Sequence, residues 1–138
     1  MALSANATGS YRASGGALRD FVVTSGATIY KGSVVMIAAA GGLSPAADAA
    51  NTFVAGIALD EIVGDGTVVC RVDIGGAEVK MTQTDGTQTA ANIGDAQVSV
   101  SDNSCQATGG SSIPLGRITE AVDGTTVWVK LYPMGTVS

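Results

Sequence analysis

Short apolar runs and turn-forming residues alternate along most of this chain. Runs of about four to eight residues that are rich in valine, isoleucine and threonine are typical of β-strands. In the segment 77–81, three apolar side chains share one face, and Glu78 and Lys80 share the other. Residues 46–51 could form a helical turn, but no segment carries an apolar face long enough for a stable helix. The pattern therefore predicts an all-β protein.

Roughly nine strands are expected by this criterion. They are Arg19–Val23, Ser33–Ala39, Phe53–Leu59, Thr67–Ile74, Ala77–Met81, Gln97–Ser101, Cys105–Ala107, Leu115–Val122 and Thr125–Tyr132. Asp65-Gly66 and Asp123-Gly124 are hairpin signals between apolar runs. The polar segment Thr82–Asn92 is predicted to be a long loop that contributes no core residue.

Part of this pattern occurs twice. The segment Gly56–Val72 returns, slightly shortened, as Gly116–Leu131. Each copy contains an apolar strand, an acidic residue, a Gly/Asp turn and a second apolar strand. Upstream, Gly32–Ile37 has a looser counterpart in Gly94–Val100. The repetition predicts a small β-barrel or sandwich of two similar lobes from an internal duplication, with halves at about 29–81 and 93–132.

The N-terminal segment, residues 1–17, shows no such pattern and is mostly Ala, Ser, Gly and Asn. It is either a disordered terminus or an extended arm that orders against a partner. The domain organisation expected is thus an arm, 1–17, and a single β domain, 18–138. Tyrosine and arginine are common in interfaces. The candidate anchors of an arm are Leu3, Tyr11, Arg12, Leu18 and Arg19.

A second candidate interface lies on the last predicted strand. There, Trp128, Lys130 and Tyr132 share the face opposite that of Val127 and Val129. Trp128 could be partly buried against a neighbouring loop, or it could anchor a subunit interface. An amphipathic aromatic side chain on an outward face favours the interface.

Composition narrows the classes of partner. Only 14% of the 138 residues are charged, and seven basic residues against twelve acidic ones give a net charge of −5. The bases are scattered, so no basic stripe indicates nucleic-acid binding. We also expect no membrane partner, because no run reaches the length of a membrane span, and no signal-peptide pattern is visible.

The chemistry of the side chains favours neither catalysis nor cofactor binding. The chain has no histidine, and it contains no nucleophile elbow, P-loop or dinucleotide-binding motif. Cys70 is expected to be a small buried hydrophobe, with a disulfide to Cys105 as the alternative. Asp65 and Asp123 are expected in turns; a calcium site at Asp60-Glu61…Asp65 is conceivable, but its spacing misses the EF-hand pattern. We expect no enzyme activity, no cofactor and no metal.

Several of these elements recur, in the same order, in a known family. They are Gly32-Ser33-Val34-Val35, Val54-Ala55-Gly56-Ile57-Ala58, the Gly75-Gly76 turn, Ile93-Gly94-Asp95-Ala96-Gln97-Val98, and Leu115-Gly116-Arg117-Ile118 with Gly124-Thr125-Thr126-Val127-Trp128-Val129-Lys130-Leu131. Over residues 18–132 the chain resembles the small capsid decoration (cement) proteins of tailed bacteriophages. The polar segment Thr82–Asn92 departs from shorter members of that family.

The resemblance implies a β-rich virion protein on the outer surface of the capsid, assembled in the host cytoplasm. It implies two partners, the major capsid protein and the chain itself, as a homotrimer at three-fold and quasi-three-fold positions. Such proteins clamp neighbouring major capsid subunits after the head expands, often with an N-terminal arm. The alternatives are a carbohydrate- or host-binding β module of a phage fibre or tail, and a small β-barrel enzyme.

Overall fold

A computed structural model of the chain describes residues 3–6, 9 and 11–134. These residues form thirteen strands and one 3-10 turn, η1 (Ala90–Asn92). The strands are β1 (Tyr11–Arg12), β2 (Leu18–Val22), β3 (Thr28–Ile29), β4 (Val34–Ile37), β5 (Leu43–Pro45), β6 (Phe53–Ala58), β7 (Ile62–Val63), β8 (Val69–Asp73), β9 (Glu78–Gln83), β10 (Ala96–Ser101), β11 (Ser104–Gln106), β12 (Pro114–Ala121) and β13 (Thr126–Leu131). The expectation of an all-β fold is confirmed.

The second half of the chain forms a closed five-stranded barrel. Its strands run in the order β9-β11-β10-β12-β13, and β13 pairs back with β9. All pairs are antiparallel except β11 with β9, where Cys105 lies opposite Gln83. Closure of the ring and the pairing of β1 with β9 together cover the sheet edges of this unit, which protects it from edge-to-edge association. We call these five strands the second unit; β1 adds to the outside of the ring by pairing with β9.

The first half forms a five-stranded sheet, β2-β8-β6-β4-β5, which we call the first unit. The order of its strands in the sheet matches that of the second unit when β2, β4, β5, β6 and β8 are compared with β9, β10, β11, β12 and β13 in turn. Between its two outer strands, an isolated parallel bridge joins Val23 to Leu43. The amide of Thr24 also donates to the Leu43 carbonyl at 3.0 Å. The short strands β3 and β7 pair with each other beside this sheet.

The fold has two hydrophobic cores, and the larger one joins the two units. On β4, Val34 belongs to the larger core and Val35 to the smaller one, because successive side chains of a strand point to opposite faces. The larger core joins side chains of the first unit, such as Ile57, to side chains of the second unit, such as Val79 and Leu131. The sheet of the first unit is therefore buried on both faces.

Two hairpin signals have different outcomes. Asp123-Gly124 joins β12 to β13, which pair with each other as expected. The strands predicted on either side of Asp65-Gly66 became β6 and β8, and they also pair with each other. The connection between them is not a tight hairpin, because it contains β7, which pairs with β3 in a separate two-stranded sheet. The helical turn considered for residues 46–51 does not form.

The expectation that Thr82–Asn92 contributes no core residue is wrong. Gln83, at the end of β9, is 3% exposed, and Gln88 is buried as well. The Gln83 side-chain amide donates to Gln97 Oε1 at 3.1 Å, and the Gln88 amide donates to Gln83 Oε1 at 3.1 Å. Amide groups that satisfy one another can lie in a core. On β10, likewise, Gln97 and Ser99 are buried.

Candidate functional site

On the outer face of the second unit, an arginine side chain stacks on the ring of a tryptophan. The Arg12 guanidinium lies 3.9 Å from the centroid of the Trp128 ring, and Trp128 is 7% exposed. Arg12 also forms an ion pair with Glu78, with Nη1 and Oε1 3.6 Å apart. Backbone pairing makes this contact possible, since Arg12 lies opposite Glu78 and Trp128 opposite Lys80. Trp128 is thus covered by the chain's own N-terminal segment.

Neighbouring polar groups complete this face. Thr119 Oγ1 donates to Glu78 Oε2 at 2.6 Å, and Lys130 Nζ donates to the carbonyl oxygen of Gly76. Tyr11 is half-buried against the larger core. Tyr132 is also half-buried, and its amide donates to the Leu115 carbonyl at 3.1 Å. Four predicted residues, Tyr11, Arg12, Trp128 and Lys130, therefore lie on or beside paired strands β1, β9 and β13.

Two buried carboxylates, which sequence reasoning did not single out as anchors, hold the N-terminal segment. Asp73 is 1% exposed and accepts from the amide and the hydroxyl of Ser14, at 2.7 and 2.6 Å. Asp102 accepts from the Leu3 amide at 2.9 Å. Burial raises the pKa of Asp102 above its ordinary value. The only sequence signal for Asp73 is an acidic residue near the end of a mostly apolar strand, and the only one for Asp102 is its place in a polar Asp-Asn pair.

Asn6 adds a contact to the first unit. Its side-chain amide donates to Glu61 Oε1 at 2.8 Å, and its carbonyl oxygen accepts from the Lys31 amide at 2.9 Å. Of the predicted arm, residues 1, 2, 7, 8 and 10 lie outside the described residues. The described part of the N-terminal segment therefore contacts both units.

The remaining two predicted residues, Leu18 and Arg19, lie on the outer strand of the first unit. Leu18 is 52% exposed, and Arg19 is exposed too. Next to them, Arg71 Nε lies 3.5 Å from Asp20 Oδ1 across the β2–β8 pair. Leu18, Arg19, Asp20 and Arg71 line a surface cavity of about 330 Å³. The predicted residues thus divide between two separate faces.

Large apolar side chains are exposed mainly on the first half of the chain. Of the eight among the described residues, six lie between residues 18 and 73. They are Leu18, Val22, Phe53, Val63, Val68 and Val69, whereas the second half contributes Ile93 and Val122. Concentrated apolar exposure marks an interaction surface more often than scattered single residues do.

The exposed turn acids cap their own turns. Asp65 Oδ1 accepts from the amides of Thr67 and Val68, and Asp123 Oδ1 accepts from the amides that follow it in the same way. These hydrogen bonds lower the pKa of both carboxyls. The largest cause is the bond from the Val68 amide at Asp65 and the bond from the Thr125 amide at Asp123. Within the described ranges, no three His, Cys, Asp or Glu side chains group to hold a metal ion.

The two cysteines are free and buried, so the alternative of a disulfide between them is wrong. Cys70 belongs to the smaller core and Cys105 to the larger one. Burial raises the pKa of the Cys70 thiol and raises that of Cys105 to about 12. Both therefore behave as small apolar side chains rather than as reactive thiolates.

Across the part of the chain that the structure describes, no helix has the length and apolar character needed to cross a bilayer. No protein-family model matches the chain, and neither a curated protein nor a solved structure matches it.

Proposed function

We propose that this chain is a capsid decoration protein that binds the outer surface of a phage head and clamps neighbouring major capsid subunits. The observation that carries the proposal is the uneven exposure of large apolar side chains, because six of the eight among the described residues lie on the first half of the chain. Because only 14% of the residues are charged, docking of these side chains against another protein would remove little charge from water. The order of Gly- and Val-rich elements shared with decoration proteins supports the same function.

An internal duplication is part of this proposal. The amides of Gly32 and Gly94 each donate to a carbonyl of a later strand at 2.8 Å, that of Ala58 in the first unit and that of Ile118 in the second. The reciprocal hydrogen bonds also correspond. The Ala58 amide donates to the Ser33 carbonyl at 2.9 Å, and the Ile118 amide donates at 3.1 Å to the carbonyl of Asp95, the residue equivalent to Ser33. Matching hydrogen bonds at matching positions support a common origin of the two units.

The strand registers support the same equivalence. Met36 lies opposite Ser44 in the first unit, and Val98 lies opposite Gln106 in the second. An irregularity follows Val35 on β4 and the equivalent Gln97 on β10. The equivalence begins at β2 and β9, so we assign the halves to residues 18–73 and 78–131 instead of 29–81 and 93–132.

For the N-terminal segment we propose the role of an arm that is anchored at its C-terminal end by the pairing of β1 with β9. Before β1, the described contacts are few and polar: the Leu3 amide donates to Asp102, and Asn6 lies between Glu61 and Lys31. This part of the segment, which is held by a few hydrogen bonds, can exchange them for contacts on a shell subunit at modest cost.

Assembly on a closed shell requires repeated, symmetric contacts, and we therefore propose a homotrimer at three-fold and quasi-three-fold positions of the virion surface. In this role the chain needs no catalytic group, cofactor, nucleic acid or membrane.

The alternative, a carbohydrate- or host-binding module, depends on an exposed aromatic platform. Trp128 is the only tryptophan of the chain, and Arg12 covers its ring. A sugar would have to displace that arginine before it could stack. The geometry thus favours the decoration role over the glycan-binding role.

The test is to add the purified protein to expanded, undecorated heads and to measure the temperature at which the heads are disrupted. We expect saturable binding and a higher disruption temperature. A protein that does not bind expanded heads refutes the proposal.

A matched pair of variants tests whether the first unit faces the shell. Val69 and Val122 are both 47% exposed, the first on β8 and the second beside the β12–β13 turn. We expect Val69→Asp to weaken binding to heads strongly, because a carboxylate would have to be desolvated in the contact, and Val122→Asp to leave binding unchanged. Equal effects of the two variants would contradict this orientation.

A further inference from the structure

The two units differ in what covers one sheet edge. On the second unit, β1 pairs with the first residues of β9, so that Tyr11 lies opposite Val79 and Arg12 opposite Glu78. On the first unit, β2 pairs with β8. On its other side, the described residues provide the Val23–Leu43 bridge at the C-terminal end and no strand beside Leu18–Phe21. The N-terminal part of this edge is therefore filled in the second unit and open in the first.

The register identifies the equivalent positions. Phe21 lies opposite Cys70 on β2 and β8, as Met81 lies opposite Val127 on β9 and β13. Two residues later, Val23 bridges to Leu43 in parallel, as Gln83 pairs with Cys105. Counting back from these pairs, Leu18 and Arg19 occupy the positions that Glu78 and Val79 occupy in the second unit.

The open edge presents unpaired backbone groups. The Val23 amide donates to the Val68 carbonyl, and the Ile74 amide donates to the Ala17 carbonyl. Because alternate residues of an antiparallel strand bond to the same neighbour, residues 17, 19, 21 and 23 face β8. The N–H and C=O groups of Leu18 and Asp20 then point away from β8, toward solvent, whereas Val22 lies next to the Val23–Leu43 bridge.

The side chains around this edge are suited to contact. Leu18, Val22 and Val69 are large, apolar and about half exposed. Asp20 pairs with Arg71 across the two strands, whereas no described carboxylate lies within ion-pair distance of Arg19. The surface therefore offers apolar area and one unneutralised cation next to the free backbone groups.

Pairing of β2 with β2 of a second copy is disfavoured by charge. A two-fold axis through Asp20 would place the two Asp20 side chains opposite each other, and an axis through Arg19 would do the same with arginine. An axis through Phe21 would bring the second copy onto Val23, which Leu43 of β5 already occupies. Like charges directly opposite each other on neighbouring strands are destabilising. The edge is thus better matched to a different sequence than to itself.

We propose that the open edge of β2 receives an extended segment of the shell subunit, which adds as an antiparallel strand. The segment carries an apolar side chain opposite Leu18 and a carboxylate opposite Arg19. Main-chain hydrogen bonds to Leu18 and Asp20 supply affinity, and the alternating side chains supply specificity. This inference rests on the proposed function, and the chain's own pairing of Tyr11–Arg12 with the equivalent edge of β9 provides its precedent.

Hydrogen exchange on heads carrying bound protein tests the proposal. In the free protein, the amides of Leu18 and Asp20 should exchange rapidly, while those of Arg19 and Phe21 should be protected by β8. On heads, we expect the two open-edge amides to slow by at least about 100-fold. Bound protein whose two amides stay fast would overturn this inference and leave the decoration role intact; absence of binding would instead refute the decoration role.

A pair of substitutions at the first residue of β2 provides an independent test. Leu18→Pro removes one open-edge N–H at a strand position that tolerates proline, and Leu18→Thr keeps the N–H on a good strand former. We expect Leu18→Pro to weaken binding to heads about tenfold or more relative to Leu18→Thr. Equal affinities of the two variants, or protection of the same amides by self-association without heads, would count against the proposal.

Discussion

Asp102 illustrates how one buried carboxyl couples the N-terminal segment to the fold. Its Oδ1 accepts from the Leu3 amide at 2.9 Å, and burial raises its pKa above the ordinary value of an aspartate. The folded state thus favours the protonated form. The contribution of this group to stability is full below the unfolded pKa and is lost as the pH rises through the folded pKa.

Asp102→Asn should therefore become more favourable as the pH rises. Asparagine keeps the acceptor for Leu3 and cannot ionise, so the free energy of unfolding of the variant, relative to wild type, should increase between about pH 3 and about pH 7. Urea denaturation at a series of pH values measures this difference.

Asp123→Asn is the control of opposite sign. Hydrogen bonds, chiefly from the Thr125 amide, lower the pKa of Asp123, so its stabilisation is present above the unfolded pKa and is lost as the pH falls through the folded pKa. This variant should be the less stable protein near neutrality, and its deficit should shrink in acid. A difference that does not vary with pH for either variant contradicts the assignment.

Gly116 is a second residue whose identity the packing requires. A Cβ atom at this position would lie 2.1 Å from the carbonyl oxygen of Lys130 on the neighbouring strand. Gly116→Ala should therefore push β12 and β13 apart and lower the free energy of unfolding by about 2–3 kcal/mol. At Gly124 the added atom would meet only Thr87 Cγ2, at 3.6 Å, so Gly124→Ala is the matched control. Similar midpoints for the two variants in denaturant would refute the steric account.

At the scale of elements, the N-terminal strand β1 matters more than its two residues suggest. It places Arg12 over Trp128 and beside Glu78. Arg12→Ala should uncover the only tryptophan, shift its fluorescence to longer wavelength and cost about 0.5–1 kcal/mol of stability. Arg19→Ala, an equally drastic change on the exposed strand β2, should leave the fluorescence unchanged. An unshifted spectrum for Arg12→Ala would show that the ring is not covered in solution.

Elements that depend on residues close in sequence could be predicted, whereas elements that depend on distant strands could not. The strands that became β6, β12 and β13 follow from apolar runs and from turn residues such as Asp123, whose effects act within a few residues. Strand β1 could not be predicted, because two residues carry no period and their pairing depends on the distant β9. The buried faces of Gln83 and Gln97 contradict the hydrophobic pattern, since two amides that lie fourteen positions apart satisfy each other.

The residues of the candidate surfaces could be predicted from the sequence, but their contacts could not. Composition and residue type single out Leu18, Arg19, Arg12 and Trp128. That Arg12 covers Trp128, while the edge beside Leu18 stays open, depends on long-range strand register, which no local pattern contains.

At the scale of the whole molecule, the larger core makes the two units interdependent. It contains Val34 and Ile57 of the first unit together with Val79 and Leu131 of the second. Neither unit could unfold alone without exposing apolar surface that the other buries. Unfolding should therefore be a single transition, in which far-UV circular dichroism and Trp128 fluorescence report the same midpoint.

A substitution far from Trp128 provides a stricter test of the single unfolding transition. Leu43 is fully buried in the smaller core, all of whose buried members lie between residues 23 and 72. Leu43→Ala should cost about 2–5 kcal/mol. If the units unfold together, the Trp128 midpoint in urea must fall as far as the circular dichroism midpoint, although Trp128 lies on the second unit. A Trp128 transition that stays at its wild-type midpoint while circular dichroism shows an earlier phase would mean that the barrel is stable by itself, and that the shared core contributes little to holding the units together.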